Sequence, residues 1–380
     1  MLFKNAYIFT PDRGFIRGGF AVENGRFTEV FSDRRRTSWP WEEDVIDLQC
    51  AYVLPGLVDA HIHGAVGADF SDGDLEGLTR MGRYLARCGV TSFAPTSMTL
   101  PYETLAAAFS TARVLKEQRP ADCARVVGIH MEGPFFSEKK KGAQNGAYLR
   151  LPDFEAFKAL YEGCGGLVRI VDVAPELAGA ADFTERAKTL CTVSVAHTDA
   201  TYEQARVVFE AGASHLTHLF NAMPSIHHRK PGVIGAASED RSVVAELICD
   251  GLHVHPSAVR MAFKLFPGRV CLISDALRCC GMPDGGYELG GQQVFLNDGE
   301  ARLADGTIAG AASNLFQDLH KAATCGFSLE EVIPSATLIP ARELGVDDEV
   351  GSIAPGRYAD FLVCDGNLGL RDVYLGGVKL

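Results

Sequence analysis

From residue 52 onward, eight short apolar runs alternate with segments whose apolar residues recur at helical spacing, and few folds accommodate that alternation. The runs are Tyr52–Val58, Val90–Thr96, Arg125–Glu132, Val168–Ala174, Cys191–His197, Ala213–His218, Val244–Asp250 and Val270–Asp275. Each has the length of a strand and is largely apolar, the pattern of a strand buried on both faces. Between them, Leu75–Cys88, Tyr102–Gln118, Phe154–Tyr161 and Tyr202–Glu210 carry the helical period. Eight strand-then-helix units in one α/β domain predict a parallel (β/α)8 TIM-type barrel.

The two ends of the chain read differently. Phe20–Val30 places Asn24-Gly25 between extended flanks, a hairpin signal. Asp360–Asp365 and Asp372–Leu375 return to strand pattern at the other end. Neither group has apolar face enough to fold alone. Residues 1–51 and 345–380 are therefore expected to pair into one small β-sandwich beside a barrel domain spanning 52–344. Gly285–Gly310 is Gly-rich and alternating, as in a hairpin excursion, and helical patterns follow at Ser313–Thr324 and Leu329–Thr337.

Composition narrows the function classes. The formal net charge of −12 offers no basic face for nucleic acid or an anionic membrane. An anionic substrate would have to be held by a few local cations. The triplet Arg34-Arg35-Arg36 is diluted by nearby Asp33, Glu42, Glu43 and Asp44 and reads as a solvated loop. No apolar stretch approaches the roughly 20 residues of a membrane span, and Met1–Ala6 lacks a signal-peptide pattern. Eleven cysteines occur without a Cys-x-x-Cys pair, many inside apolar runs, which suits reduced thiols. The expected location is the cytoplasm.

Chemistry concentrates where the apolar runs end. In such barrels the working residues gather at the C-terminal ends of the strands. Reading those ends gives His61 and His63 after the first run, then Glu132, His197, His218 and Asp275 at the third, fifth, sixth and eighth. His61 and His63 are two apart, so on an extended chain both imidazoles point the same way. Imidazoles and carboxylates that leave a position open for water are the ligand types of hydrolytic metal sites. Asp275 suits a further role: a carboxylate beside an activated water can take its proton and return it to a leaving amine. A purely ligating Asp275 is the compatible alternative. His130 reads as a packing or supporting group, His215 as facing the barrel layers, and His255 and His320 as structural.

Several segments resemble the N-acetylglucosamine-6-phosphate deacetylase family of the amidohydrolase superfamily. They are Leu54–Gly64, His130–Phe135, Ala196–Ala200, Thr217–Pro224 and Asp250–His255, with Ser274–Ala276, Gly281–Gly291 and Ala359-Asp360 in agreement. The resemblance runs nearly end to end and in the same order. It implies a (β/α)8 barrel with a flanking β-sandwich, a homodimer, and hydrolysis of the sugar's N-acetyl group to glucosamine 6-phosphate and acetate. It makes Glu132, His197 and His218 core metal ligands, with His61 and His63 completing a second metal position. Some members lack those two and use one metal, so their retention favours two ions. Asp275 matches the general acid/base. Ala143, Asn221, Ala222, Ile308, Ala309 and Gly310 would meet the substrate. His253 and Arg229 match the phosphate-binding pair, with Arg229 reaching in from the neighbouring subunit. A guanidinium fork suits a phosphate. The ion itself is expected to be Zn or Fe(II), with Mn or Co also accommodated by these donors.

The chain departs from the family at two places. Gln144 stands where some members carry a histidine thought to polarise the carbonyl; its amide donates a hydrogen bond but carries no charge. Arg278-Cys279-Cys280 replaces small apolar residues after the Asp, with packing the expected role of the thiols and an effect on sugar selectivity the expected role of Arg278. Three other readings compete. The galacto epimer, N-acetylgalactosamine 6-phosphate, differs by one inverted hydroxyl. A cyclic-amide hydrolase such as a dihydroorotase would call for a bridging lysine on the fourth strand, and Val168–Ala174 with Pro175-Glu176 offers none. A non-catalytic relative would have shed ligands that all remain here.

Overall fold

The first apolar run is divided between two sheets. In the computed structural model, which describes residues 1–33 and 44–380, strand Val45–Pro55 belongs to a sheet built from the chain ends, and the first barrel strand is Leu57–Ile62. The expected single strand Tyr52–Val58 is thus corrected to two. Gly56 marks the transfer because a Cβ there would lie 2.0 Å from the Thr91 hydroxyl oxygen. The triplet Arg34–Arg36 lies outside the described residues.

Seven more barrel strands follow in chain order: Val90–Ser97, Ile129–Met131, Val168–Val173, Thr192–Val195, His215–Leu216, Val244–Ile248 and Val270–Ile273. Neighbours pair in parallel throughout. The third run is interrupted after Arg125–Val126, near Gly128, where the Arg169 side chain fills the space a Cβ would need. Closure comes from the chain beyond the eighth strand. The Asp275 N–H donates to the His61 carbonyl at 2.9 Å, and the His63 and Gly64 N–H groups both donate to Ala276. That seam brings Asp275 beside the two histidines.

Helices cover the barrel because their ends are specified locally. Thr201 and Gln204 form a capping box at the start of Tyr202–Ala211, and Gly212 ends it in the left-handed region at φ 119°. Asn314 and Gln317 do the same for Leu315–Ala323. The expected helix Leu329–Thr337 is shorter: Pro334 supplies no N–H, and Leu329–Val332 continues as the 3-10 turn Ile333–Ala336.

The chain ends pair as the alternating pattern requires. One seven-stranded sheet runs in the order Val378–Lys379, Leu370–Leu375, Phe361–Cys364, Val45–Pro55, Leu2–Thr10, Gly14–Glu23, Arg26–Ser32. Its core is aromatic: Phe3, Phe20, Phe27, Phe361 and Tyr374 pack at centroid distances of 4.5 to 6.1 Å. Full burial of such a side chain contributes about 1.5–3 kcal/mol. Asn24 and Gly25, at φ 52° and 75°, make the turn between the second and third strands. Arg125 docks this sheet on the barrel through a two-pronged pair with Asp360, at 2.7 and 3.3 Å. Gly285–Ala311 forms a separate antiparallel sheet of four strands packed on Met98, Ala143 and Leu277.

Candidate active site

The six residues read from the strand ends converge. Glu132 Oε1 lies 3.1 Å from His197 Nε2 and 3.2 Å from His218 Nε2, while its Oε2 lies 3.3 Å from His63 Nε2. Asp275 Oδ1 is 3.3 Å from His63 Nε2 and 3.5 Å from His61 Nε2. His197, His218 and Asp275 turn out of their strands with φ of 43°, 31° and 49°. Such conformations cost non-glycine residues about 1–3 kcal/mol each and persist only where the surroundings impose them. Here they turn the chain abruptly while keeping the side chains on the barrel axis.

The tautomers follow from the partners. His61 Nδ1 faces Glu246, His63 Nδ1 faces the Thr96 carbonyl, and His197 Nδ1 faces the Lys140 carbonyl, at 3.0, 3.1 and 2.8 Å. Each partner only accepts, so each Nδ1 carries the proton and each Nε2 presents a lone pair inward. Those nitrogens then crowd together: His61 Nε2 and His63 Nε2 lie 3.4 Å apart, and His197 Nε2 lies 3.1 Å from the Nε2 of His218, whose own Nδ1 is buried without a partner. Lone pairs facing lone pairs and a carboxylate ask for a cation between them. The donors fall into two groups that share Glu132, one with His61 and His63 and one with His197 and His218. This donor set fits a divalent metal ion.

Electrostatics agree. Burial alone would raise the Glu132 carboxyl, but hydrogen bonds from His197, His218 and His63 hold it well below the usual carboxylate range. Burial likewise opposes the shift at Asp275, whose carboxyl is held down by the charges of His61 and His63. Against its own burial, His218 is lifted to about 9 by its hydrogen bond to Glu132. The carboxylates thus draw positive charge to this point, which a metal ion would supply in place of protons.

Sequence reading missed Glu246. It lies in Val244–Ile248, fully buried, and orients His61 through Nδ1 while accepting the His218 backbone N–H at 3.1 Å. The signal was present, since a glutamate inside an otherwise apolar strand must point into the barrel. His130 and His215 turn out to carry charge there. His215 bridges Glu246 and Glu343 at 3.1 and 2.7 Å, and despite burial these hydrogen bonds raise it to about 10. His130 lies between Asp172 and the Ala60 carbonyl, both acceptors. His61, His130 and Glu246 also cluster, but His130 has no lone pair to give, so that group is an ion-paired network.

A pocket of about 390 Å³ opens over the six residues. Ala143, Asn221, Ala222, His253, Ile308, Ala309 and Gly310 all line it, beside His63, Glu132, His197 and Asp275. His61 and His218 sit beneath its floor. Lys139, Lys140, Met98 and Thr307, unread in the sequence, line it too. His253 is fixed by Asp250 at 2.7 Å. Arg229 does not line the pocket of its own chain; it is exposed and bonded to His228 at 2.7 Å. Arg278 points away, paired with Asp72 at 2.7 Å, so its guanidinium takes no part in this wall. Cys279 and Cys280 are buried and belong to neither ligand group.

The sequence profile of the amidohydrolase family matches residues 52–377. The chain belongs to the amidohydrolase family, as a hydrolase of its metal-site architecture. Within that family it groups with the N-acetylglucosamine-6-phosphate deacetylases. The Bacillus subtilis N-acetylglucosamine-6-phosphate deacetylase is 36% identical over 96% of this chain and 92% of that protein. The N-acetylgalactosamine-6-phosphate deacetylase of Escherichia coli O157:H7 is 35% identical over 89% and 90%. Among solved structures, an Asp-to-Ala mutant of the Mycobacterium smegmatis N-acetyl-D-glucosamine-6-phosphate deacetylase, in complex with that sugar phosphate, superposes with a TM-score of 0.92. It shares 32% identity and covers 100% of this chain and 98% of that one.

Proposed function

We propose that this protein hydrolyses the N-acetyl group of N-acetylglucosamine 6-phosphate, giving glucosamine 6-phosphate and acetate. The observation that supports this most is the position of Asp275: its carboxylate stands 3.3 Å from His63 Nε2, in the pocket that also contains His253. A proton-transferring group thus lies on the Nε2 side of the imidazoles, within one small cavity.

In this reading His61 and His63 with Glu132, and Glu132 with His197 and His218, hold one or two divalent ions, Zn or Fe(II) being favoured. A bound ion supplies Lewis-acid polarisation of the amide carbonyl and an acidified water at neutral pH. Asp275 takes the proton from the attacking water and passes it to the departing amine nitrogen. Low burial-opposed basicity suits the first half of that task, because the carboxylate stays ionised until the water gives up its proton. Asn221, Ala222 and Ala143 orient the sugar, with Ile308–Gly310 closing the opposite wall. His253, held by Asp250, binds the phosphate, and Arg229 serves the pocket of a second subunit in a homodimer. A proton-poor, net-negative chain needs that clamp to hold a dianion.

Elemental analysis of purified protein, paired with acetate release from both hexosamine phosphates, tests the proposal. Expected are one or two divalent ions per chain and turnover of the gluco substrate above the galacto epimer. Equal turnover of the epimers would remove the substrate preference, and metal-free protein without acetate release would remove the enzyme.

A further inference from the structure

At the other end of the barrel, the helix Tyr102–Gln118, the turn after it and the sheet of the chain ends enclose a cavity of about 300 Å³. That size is within the range of small-molecule sites. Lys116, Arg119 and Arg125 line it, facing Glu349 and Tyr358. Lys116 and Arg119 form the ridge to an adjoining groove, lined also by Arg113 and Arg169.

Most of these cations are engaged. Arg125 is paired with Asp360, Arg113 with Glu117, and Arg119 donates to the Tyr358 hydroxyl at 3.2 Å. The Tyr358 ring is itself flanked by the guanidiniums of Arg26 and Arg125, each 3.9 Å from its centroid. Lys116 and Arg169 are different. Among the described residues neither side chain has a hydrogen bond or ion pair, and the Arg169 Nε is buried without a partner. Burial holds the Lys116 ammonium below the ordinary lysine range, and the neighbouring Arg169 adds to that, Glu349 only partly offsetting it. In a chain with 48 acidic and 36 basic side chains, cations without a carboxylate at ion-pair distance are conspicuous. A buried unpartnered donor costs about 1–3 kcal/mol unless something accepts from it.

We propose that this basal pocket and its adjoining groove form a second binding site, in which the groove takes the phosphate group of a small phosphate monoester between Lys116, Arg169 and Arg119. The carbon body of the ester would lie on the apolar wall of Leu115, Val126 and Val346. Guanidinium and ammonium donors converging from a helix and a barrel strand suit a tetrahedral dianion. The site shares no residue with the pocket around Asp275.

Two sources of such an ester are distinguishable. Calorimetric titrations with glucosamine 6-phosphate, glycerol 3-phosphate and inorganic phosphate, on the parent protein and on Lys116→Gln/Arg169→Gln, separate them. Expected is a saturable event for at least one ester that weakens about ten-fold or more in the double variant, from loss of two charge-assisted hydrogen bonds. Lys116→Arg, which keeps the charge, retains it, and acetate release stays at the parent rate in all three proteins. If glucosamine 6-phosphate alone shows this event, the ligand is an amino-sugar phosphate; if glycerol 3-phosphate shows it too, the site takes phosphate monoesters at large. Ester binding unchanged in the double variant, or inorganic phosphate bound while both esters are refused, would overturn the proposal.

Discussion

Gln144 donates from Nε2 to Glu132 Oε2 at 2.7 Å, while its Oε1 accepts the backbone N–H of Thr99, also at 2.7 Å. Because an N–H can only donate, the Thr99 contact fixes which end of the amide meets the carboxylate. Gln144 thus anchors Glu132, the carboxylate common to both candidate ligand groups, to the end of the second strand. For Gln144→Leu, metal retention measured against a chelator is expected to weaken ~10–100-fold, the scale on which partners of metal ligands act. Unchanged retention would assign Gln144 to packing alone.

Asp275→Asn keeps the shape of the side chain and removes its basicity. Turnover is expected to fall ~10²-fold or more with metal content preserved, since general acid–base catalysis contributes on that scale. Near-parent turnover would take Asp275 out of the mechanism.

Glu246 sits in the barrel interior among His61, His215 and the His218 N–H. Its replacement by leucine leaves the His215 cation with Glu343 alone and frees the His61 ring. Breaking a buried pair by removing one partner costs about 3–5 kcal/mol, and denaturant unfolding should read a loss of that order. A loss below 1 kcal/mol would mean that the network is screened by water.

Arg229 is exposed in its own chain, so its proposed role requires a second copy. Arg229→Ala should raise KM for the sugar phosphate ~10-fold or more while changing kcat little, the expectation for a charge-assisted bond to a group remote from the reacting amide. Sedimentation should show a dimer. A monomer with parent KM would dismiss the shared site.

Asp318 is fully buried, accepts one bond from Ser313 at 2.8 Å and leaves Oδ2 unpartnered. Burial lifts its carboxyl well above the usual range, with Asp250, Asp59 and Asp275 adding to the effect. A folded-state value above the unfolded one means the folded chain binds the extra proton. Stability from this group is therefore present below the unfolded pKa of about 3.9 and lost as pH rises through the folded value. Asp318→Asn is expected to raise Tm at neutral pH, with the gain shrinking as pH falls toward 4. A gain that grows in acid would contradict the sign.

The convergence of the strand-ending residues was readable because barrel geometry converts order along the chain into nearness in space: each strand delivers its last residue to one rim. Glu132, His197, His218 and Asp275 therefore needed only their places in eight apolar runs. Glu246 escaped because its run continues past it to Asp250, and reading only the ends of runs passes over a charge in the middle. Period and turn chemistry likewise gave the helix Tyr102–Gln118 and the Asn24-Gly25 hairpin, both products of short-range sterics.

Sequence by itself determined the alternation of strand and helix, the pairing of the two chain ends and the identity of the donors at the rim, because each is set by local periodicity and side-chain chemistry. Only the tertiary structure decided where the first run changes sheets, which imidazole nitrogen faces inward, and how the barrel closes. Those depend on contacts between residues far apart in the chain: Gly56 against Thr91, His61 against Glu246, and the barrel seam between His61 and Asp275. Distance in space is what no local pattern encodes.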